Sequence, residues 1–221
     1  MSMLESIPLF PLRTVLFPGQ LLPLHIFEIR YRQMINDCIE QETPFGVVLI
    51  RKGREVGETA EPYSVGTLAR IRRVEREEDG RMHIYCIGEE RFRIDSLVQE
   101  QPYLIARIER LQWRVNPAVD YSTRMTSLRV NLAQYLQSLA AAVGTPIQVE
   151  ELPDDPYLLG CVAAIALRLP NKEKQELLAS LSLDQLIDLS GSLLRRENRA
   201  FQIGVALPEQ RDEEAPGISL N

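Results

Sequence analysis

In the first half of the chain, apolar residues either alternate with polar ones or gather in runs too short for a helix. Ile7–Phe10 and Leu21–Ile26 are short and bounded by Pro or Gly, which reads as two strands. Between them, Phe17-Pro18-Gly19-Gln20 predicts a type II turn, since Pro18 presets one central position and Gly19 takes positive φ at the next. Glu28–Gln41 follows with Ile29, Met34 or Ile35, and Cys38 or Ile39 at helical spacing. FGVVLI (Phe45–Ile50) is a continuous, β-branched run of strand length and predicts a buried strand. A polar loop, RKGREVGETAEPYS, leads to strands at Gly66–Arg73 and Arg81–Gly88, with Asp79-Gly80 as the hairpin signal. Arg91–Leu97 and Tyr103–Trp113 complete the set. Ile84 and Cys86 share one face, and Phe92 and Ile94 alternate with Arg91, Arg93 and Asp95, as in a sheet with one packed and one wet face.

The period changes after Asn116-Pro117. Met125, Leu128, Leu132, Tyr135 or Leu136, and Leu139 mark an amphipathic helix of about 20 residues, ended by Gly144-Thr145-Pro146. Asp154-Asp155-Pro156 opens another, with an acidic cap and Pro in the first turn; its YLLGCVAAIALRL is apolar nearly all round and predicts a central helix. Asn171 starts a polar-faced helix, and Ser182-x-x-Gln185 has capping-box spacing before LIDLSGSLLRRENRAF. Strands followed by helices predict an α+β chain with segregated layers, an all-β lobe of short antiparallel strands and then an all-α lobe. The expected division is a β lobe with one helix at 1–115, a helical lobe at 116–204 and a disordered acidic tail at 205–221, aromatic-free and charged.

Composition narrows the function. No stretch approaches the ~20 consecutive apolar residues of a membrane span, and the opening MSMLESIP lacks the basic start of a secretory signal, so a cytoplasmic protein is expected. The three cysteines, Cys38, Cys86 and Cys161, are scattered and odd in number, which fits a reducing compartment and no disulfide framework. A net charge of −6 disfavours binding to a phosphate backbone. The arginines around the hairpin, Arg70, Arg72, Arg73, Arg76 and Arg81, are interleaved with Glu75, Glu77, Glu78 and Asp79, a pattern of solubility and weak pairing.

Catalytic and metal motifs are sparse. His25 and Glu28 make an H-x-x-E spacing, but the other histidine, His83, lies far along the chain, so the pair predicts a strand-end anchor and a carboxylate near a helix start. No C-x-x-C pair supports zinc or redox chemistry. Cys86 and Cys161 fall in apolar patterns and predict burial, while Cys38 is expected to be partly exposed. Ser190-Gly-Ser192 sits in a helical pattern rather than at a nucleophile elbow. Gly53-Arg-Glu-Val-Gly57-Glu-Thr59 lacks the Lys and spacing of a phosphate loop. No cofactor and no metal are expected.

Taken together, PLFPLRTVLFPGQLLPLHIFEIRYRQM (8–34), GTLARI (66–71), DGRMHIYCIGEERFRI (79–94), PYLIARIERL (102–111) and the helical segment from Asp154 to Glu197 resemble the N-terminal, substrate-recognition domain of the ATP-dependent Lon proteases. The resemblance spans roughly residues 5–200. It implies a twisted antiparallel β pseudo-barrel of the PUA-like kind followed by an α-helical bundle, and a non-enzymatic module without the ATPase and Ser–Lys protease modules of full-length Lon. The implied partner is an unfolded or partly unfolded polypeptide, with a separate protease or a second copy as the adaptor alternative; RNA is the minor reading. Leu16-Phe17, beside the Pro18-Gly19 turn, raises the expectation of an apolar contact patch at a surface tip. The candidate peptide contacts are Leu12, Leu16, Phe17, Leu22 and Phe27.

Overall fold

The computed structural model describes residues 4–53, 60–144 and 152–204, and the chain divides into two compact units, Met1–Gln112 and Trp113–Asn221. The expected acidic tail, the middle of the polar loop and the Thr145-Pro146 helix stop lie outside the described residues.

The first unit contains β1 (Glu5–Leu12), β2 (Leu21–Ile26), α1 (Ile29–Glu40), β3 (Phe45–Lys52), β4 (Glu61–Pro62), β5 (Val65–Arg76), β6 (Met82–Gln99) and β7 (Ile105–Leu111). The ladders run β1-β7-β6-β5-β3, and β3 returns to β1, closing a five-stranded barrel. β4 lengthens the β3 edge, and β2 pairs with β6 beside the barrel. The closing β1–β3 ladder is parallel, with Leu9 opposite Gly46 and Leu12 opposite Leu49; the other pairings are antiparallel.

Two apolar clusters explain why β1 and β3 are apolar on both faces. Ile7, Leu9, Val48, Leu68, Phe92, Ala106 and Ile108 come from every strand of the closed ring and fill its interior. Their chain neighbours Phe10, Val47 and Ala69 point the other way, onto Tyr31, Met34, Ile35 and Cys38 of α1. Strands covered on both sides lose the alternation of a half-wet sheet. Alternation also fails at Arg91, expected on the wet face and buried instead. A register shift between Thr67 and Ala69, opposite residues 88–91, turns that part of β6. The two strands expected at 81–88 and 91–97 are one continuous β6.

The hairpin behaves as its sequence implies. Gly80 donates its N–H to the Glu77 carbonyl, with φ +81°, and Glu77 N–H reaches Arg81 O, a type I turn closed by a glycine.

The second unit holds α2 (Tyr121–Val143), α3 (Pro156–Ala166), α4 (Asn171–Leu178) and α5 (Leu183–Gln202). Its caps follow the sequence. Asp155 accepts from Leu158 N–H ahead of Pro156, and Ser182 accepts from Gln185 N–H while Gln185 Oε1 takes the Leu181 N–H. Leu128, Leu132, Tyr135 and Leu139 form the buried stripe of α2. The Trp113 indole donates to Ser180 Oγ at 2.7 Å and meets the Tyr157 ring edge-on. Ser190 and Gly191 are buried in the middle of α5, away from any strand-to-helix turn.

Candidate functional site

The exposed chemistry of the first unit concentrates on the outward face of the β2–β6 ribbon. Period-two geometry sends Leu22, Leu24 and Ile26 of β2 inward, with Met82, Ile84 and Cys86 of β6. Leu21, Pro23 and His25 therefore point outward, opposite Ile87, Tyr85 and His83. Leu21 is 71% exposed, Phe27 39% and Tyr85 38%, and the Phe27 ring lies 5.9 Å from that of His25. Exposed Ile29 follows at the start of α1. Among the described residues β2 pairs with β6 alone, so its other edge has no strand partner. Pro23, which has no N–H to offer, suits such an edge.

The polar border of this face comes from the β5–β6 hairpin. Arg73 lies over the Tyr85 ring at 5.5 Å and also pairs with Glu75. His25 and His83 stack face to face, centroids 4.4 Å apart and planes within 13°. Each places Nε2 3.1 Å from Oε1 of Glu77, whose Oε2 takes Arg81 at 3.1 Å. Among the described residues, His25, Glu77 and His83 are the group of ligand-type side chains close enough to share a metal ion. His25 stands near the end of β2 and Glu28 directly before α1, as the H-x-x-E spacing suggested. Glu28 precedes α1 without a side-chain cap and pairs with Arg30. His83 is not distant but directly opposite, because β2 and β6 are in register at that point.

The expected contact residues separate into core and surface. Leu12, Leu16 and Phe17 are buried, Phe17 at 1% exposure; Leu22 is half-buried against the core, and Phe27 is at the surface. The Leu16-Phe17 tip is therefore not an exposed patch. The type II turn forms as expected, with Gly19 at φ +82° and Gln20 N–H on the Phe17 carbonyl, but the segment folds down onto the barrel. Thr67 Oγ1 donates to Leu16 O at 2.6 Å, and Gly19 N–H reaches Gly88 O. Gly88 permits this approach, since a Cβ there would collide with the Phe17 carbonyl oxygen. Leu21, Pro23 and Tyr85 were missed as surface candidates; alternation within LLPLHI and HIYCIG was the signal that could have found them.

Cys38 is buried, not partly exposed. Burial raises its thiol pKa to about 11 and that of Cys86 to about 12, so both are inert. Three of the hairpin arginines are paired with carboxylates, Arg70 with Glu89 (2.6 Å), Arg73 with Glu75 and Arg81 with Asp79 (2.6 Å), so this face carries mixed charge. Among the described residues no helix is long and apolar enough to cross a membrane.

A closed barrel with an attached β2–β6 ribbon, together with a helical unit, makes this an α+β chain. The sequence matches the ATP-dependent protease La (LON) substrate-binding domain over residues 6–196, and the chain belongs to that family. It is 33% identical to the Lon protease of Paraburkholderia phytofirmans over 83% of this chain, and 30% identical to that of Anaeromyxobacter dehalogenans over 89%. It spans 23% and 24% of those two proteins, about a quarter of their length. Among solved structures, the Lon N-terminal domain protein from Xanthomonas campestris superposes with a TM-score of 0.61, covering 83% of this chain and 95% of that one at 24% identity. The N-terminal domain of Mycobacterium avium complex Lon protease gives 0.65, covering 86% and 98% at 20% identity. These likenesses establish the fold, and the family is one of substrate recognition.

Proposed function

We propose that this chain is a non-catalytic recognition module that holds exposed or unfolded polypeptide segments on the outward face of its β2–β6 ribbon, in connection with proteolysis. The observation that carries the reading is the outward row of Leu21, Pro23 and Tyr85, continued by Phe27, beside a strand edge with no partner among the described residues. Apolar contact at ~25 cal/mol per Å² supplies affinity without strict sequence demands, and the free edge of β2 offers main-chain hydrogen bonds to an extended segment. Family membership supports substrate recognition as the role. Of the residues expected from sequence, Phe27 and the half-buried Leu22 stay in the proposed contact set; Leu12 and Leu16 belong to the core against which Leu22 packs, and Phe17 is buried.

The test is fluorescence anisotropy with a labelled, reduced and carboxymethylated polypeptide, comparing wild type with the double variant Leu21→Ser, Tyr85→Ser. Weaker binding in the variant at an unchanged melting temperature is expected. Equal binding, or none by wild type at high micromolar concentration, rejects the reading. Light scattering on the same samples addresses the adaptor alternative. A dimer that dissociates in the variant would assign the face to a second copy of the chain.

A further inference from the structure

We propose that His25, His83 and Glu77 form a binding site for a divalent transition-metal ion, zinc in the first instance, on the outward face of the β2–β6 ribbon. The site stands apart from the polypeptide reading and needs nothing from it. Three features of the geometry carry it. The cross-strand register places the two imidazoles directly opposite each other, and their rings stack with both Nε2 atoms beside one carboxylate oxygen, to which His25 is hydrogen-bonded. Both Nε2–Oε1 separations are 3.1 Å, and all three ligand atoms lie within 4.8 Å of one another. Metal–ligand bonds of about 2.0–2.1 Å in a tetrahedral site put neighbouring ligand atoms about 3.3 Å apart, close to the observed Nε2–Oε1 separations; because the stacked rings send their lone pairs out in parallel, one imidazole must turn out of the stack to bring both onto the same ion.

The surroundings suit the same occupant. Arg81 holds Oε2 of Glu77 at 3.1 Å, which fixes the carboxylate so that Oε1 faces the ring pair. Glu77 is itself anchored by the hairpin, through its N–H to Arg81 O and its carbonyl to Gly80 N–H. The side chains of His25, Glu77 and His83 are 25%, 30% and 47% exposed, so an ion can enter and water can complete a fourth position. On metal binding each ring carries its proton on Nδ1 and gives its Nε2 lone pair to the ion. Two imidazoles and one carboxylate select zinc, copper, nickel or cobalt over magnesium and calcium, which prefer all-oxygen sites.

The experiment uses the whole chain with any purification tag removed. Calorimetric titration with zinc should give one ion per chain, undisturbed by excess magnesium. His83→Gln and Glu77→Gln should each weaken binding by more than about tenfold, because loss of even an outer partner of a metal ligand costs that much. Wild type should melt higher with zinc, and His83→Gln should not. A second readout needs no variant. The chain has only two histidines, so their imidazole proton signals are few, and cobalt should broaden both together. Absence of zinc uptake, uptake unchanged in His83→Gln, or histidine signals indifferent to cobalt would each overturn the site.

Discussion

Truncating Phe17 tests whether the segment after β1 is core or contact surface. Phe17 is 1% exposed, although it stands one residue before a Pro-Gly turn. An aromatic side chain of this kind buries about 150–250 Å², worth about 4–6 kcal/mol at ~25 cal/mol per Å². Alanine keeps part of that burial, and phenylalanine-to-alanine changes in cores typically cost about 3–5 kcal/mol. For a unit of this size each kcal/mol moves Tm by about 4–8 °C. Phe17→Ala should therefore melt at least about 12 °C below wild type. Urea unfolding followed by circular dichroism should show a lower midpoint at an unchanged slope, as a purely energetic loss requires. Leu21→Ala, four residues along and 71% exposed, should stay within about 0.5 kcal/mol of wild type. A Phe17→Ala protein that melts like wild type, or a Leu21→Ala protein that falls as far, would refute the assignment of core and surface.

Two further outcomes follow from the same packing. Gly88→Ala should destabilise by about 1–3 kcal/mol, because its new methyl group meets the Phe17 carbonyl; a midpoint equal to wild type in urea would contradict the close approach of that segment to β6. The buried thiols set an alkaline limit on stability. Cys38 and Cys86 hold their protons to about pH 11 and about pH 12 when folded, while in the unfolded chain they ionise near the ordinary thiol value. Their contribution is complete below about pH 8.5 and is lost as pH rises toward the folded values, since the unfolded state then binds fewer protons. The urea midpoint should fall progressively above that point. Reaction with a thiol reagent should track unfolding; rapid labelling of the native protein would place one of these cysteines outside the core.

What was legible in the sequence was local. The Pro18-Gly19 turn, the Asp79-Gly80 hairpin and the Asp155 and Ser182 caps are each decided within a few residues, where side-chain and backbone geometry leave little choice. The apolar run FGVVLI announced a strand covered on both faces. The continuity of β6 through Gly88, Glu89 and Glu90 was hidden because those residues interrupt the apolar pattern. Parallel closure of β1 on β3 depends on pairing across long separations, which no local signal encodes. The fate of Leu16 and Phe17 was set by Thr67 and Gly88, residues from two other strands. The histidine pair was half visible: alternation put His25 and His83 on outward faces, but only the β2–β6 register made them neighbours.

β6 also shows how this fold can separate recognition from stability. Its first part pairs with β2, and its later part pairs with β7 to close the barrel. Along the first part, even-numbered Met82, Ile84 and Cys86 are fully buried, while His83 and Tyr85 between them face outward. A substitution at an odd position there changes the surface chemistry and leaves the core volume untouched, whereas an even position carries the full cost of a cavity. The outward row can therefore take apolar side chains for a polypeptide or ligating side chains for a metal on an unchanged barrel. Such independence is what a recognition surface needs, because its chemistry can change without placing the fold at risk.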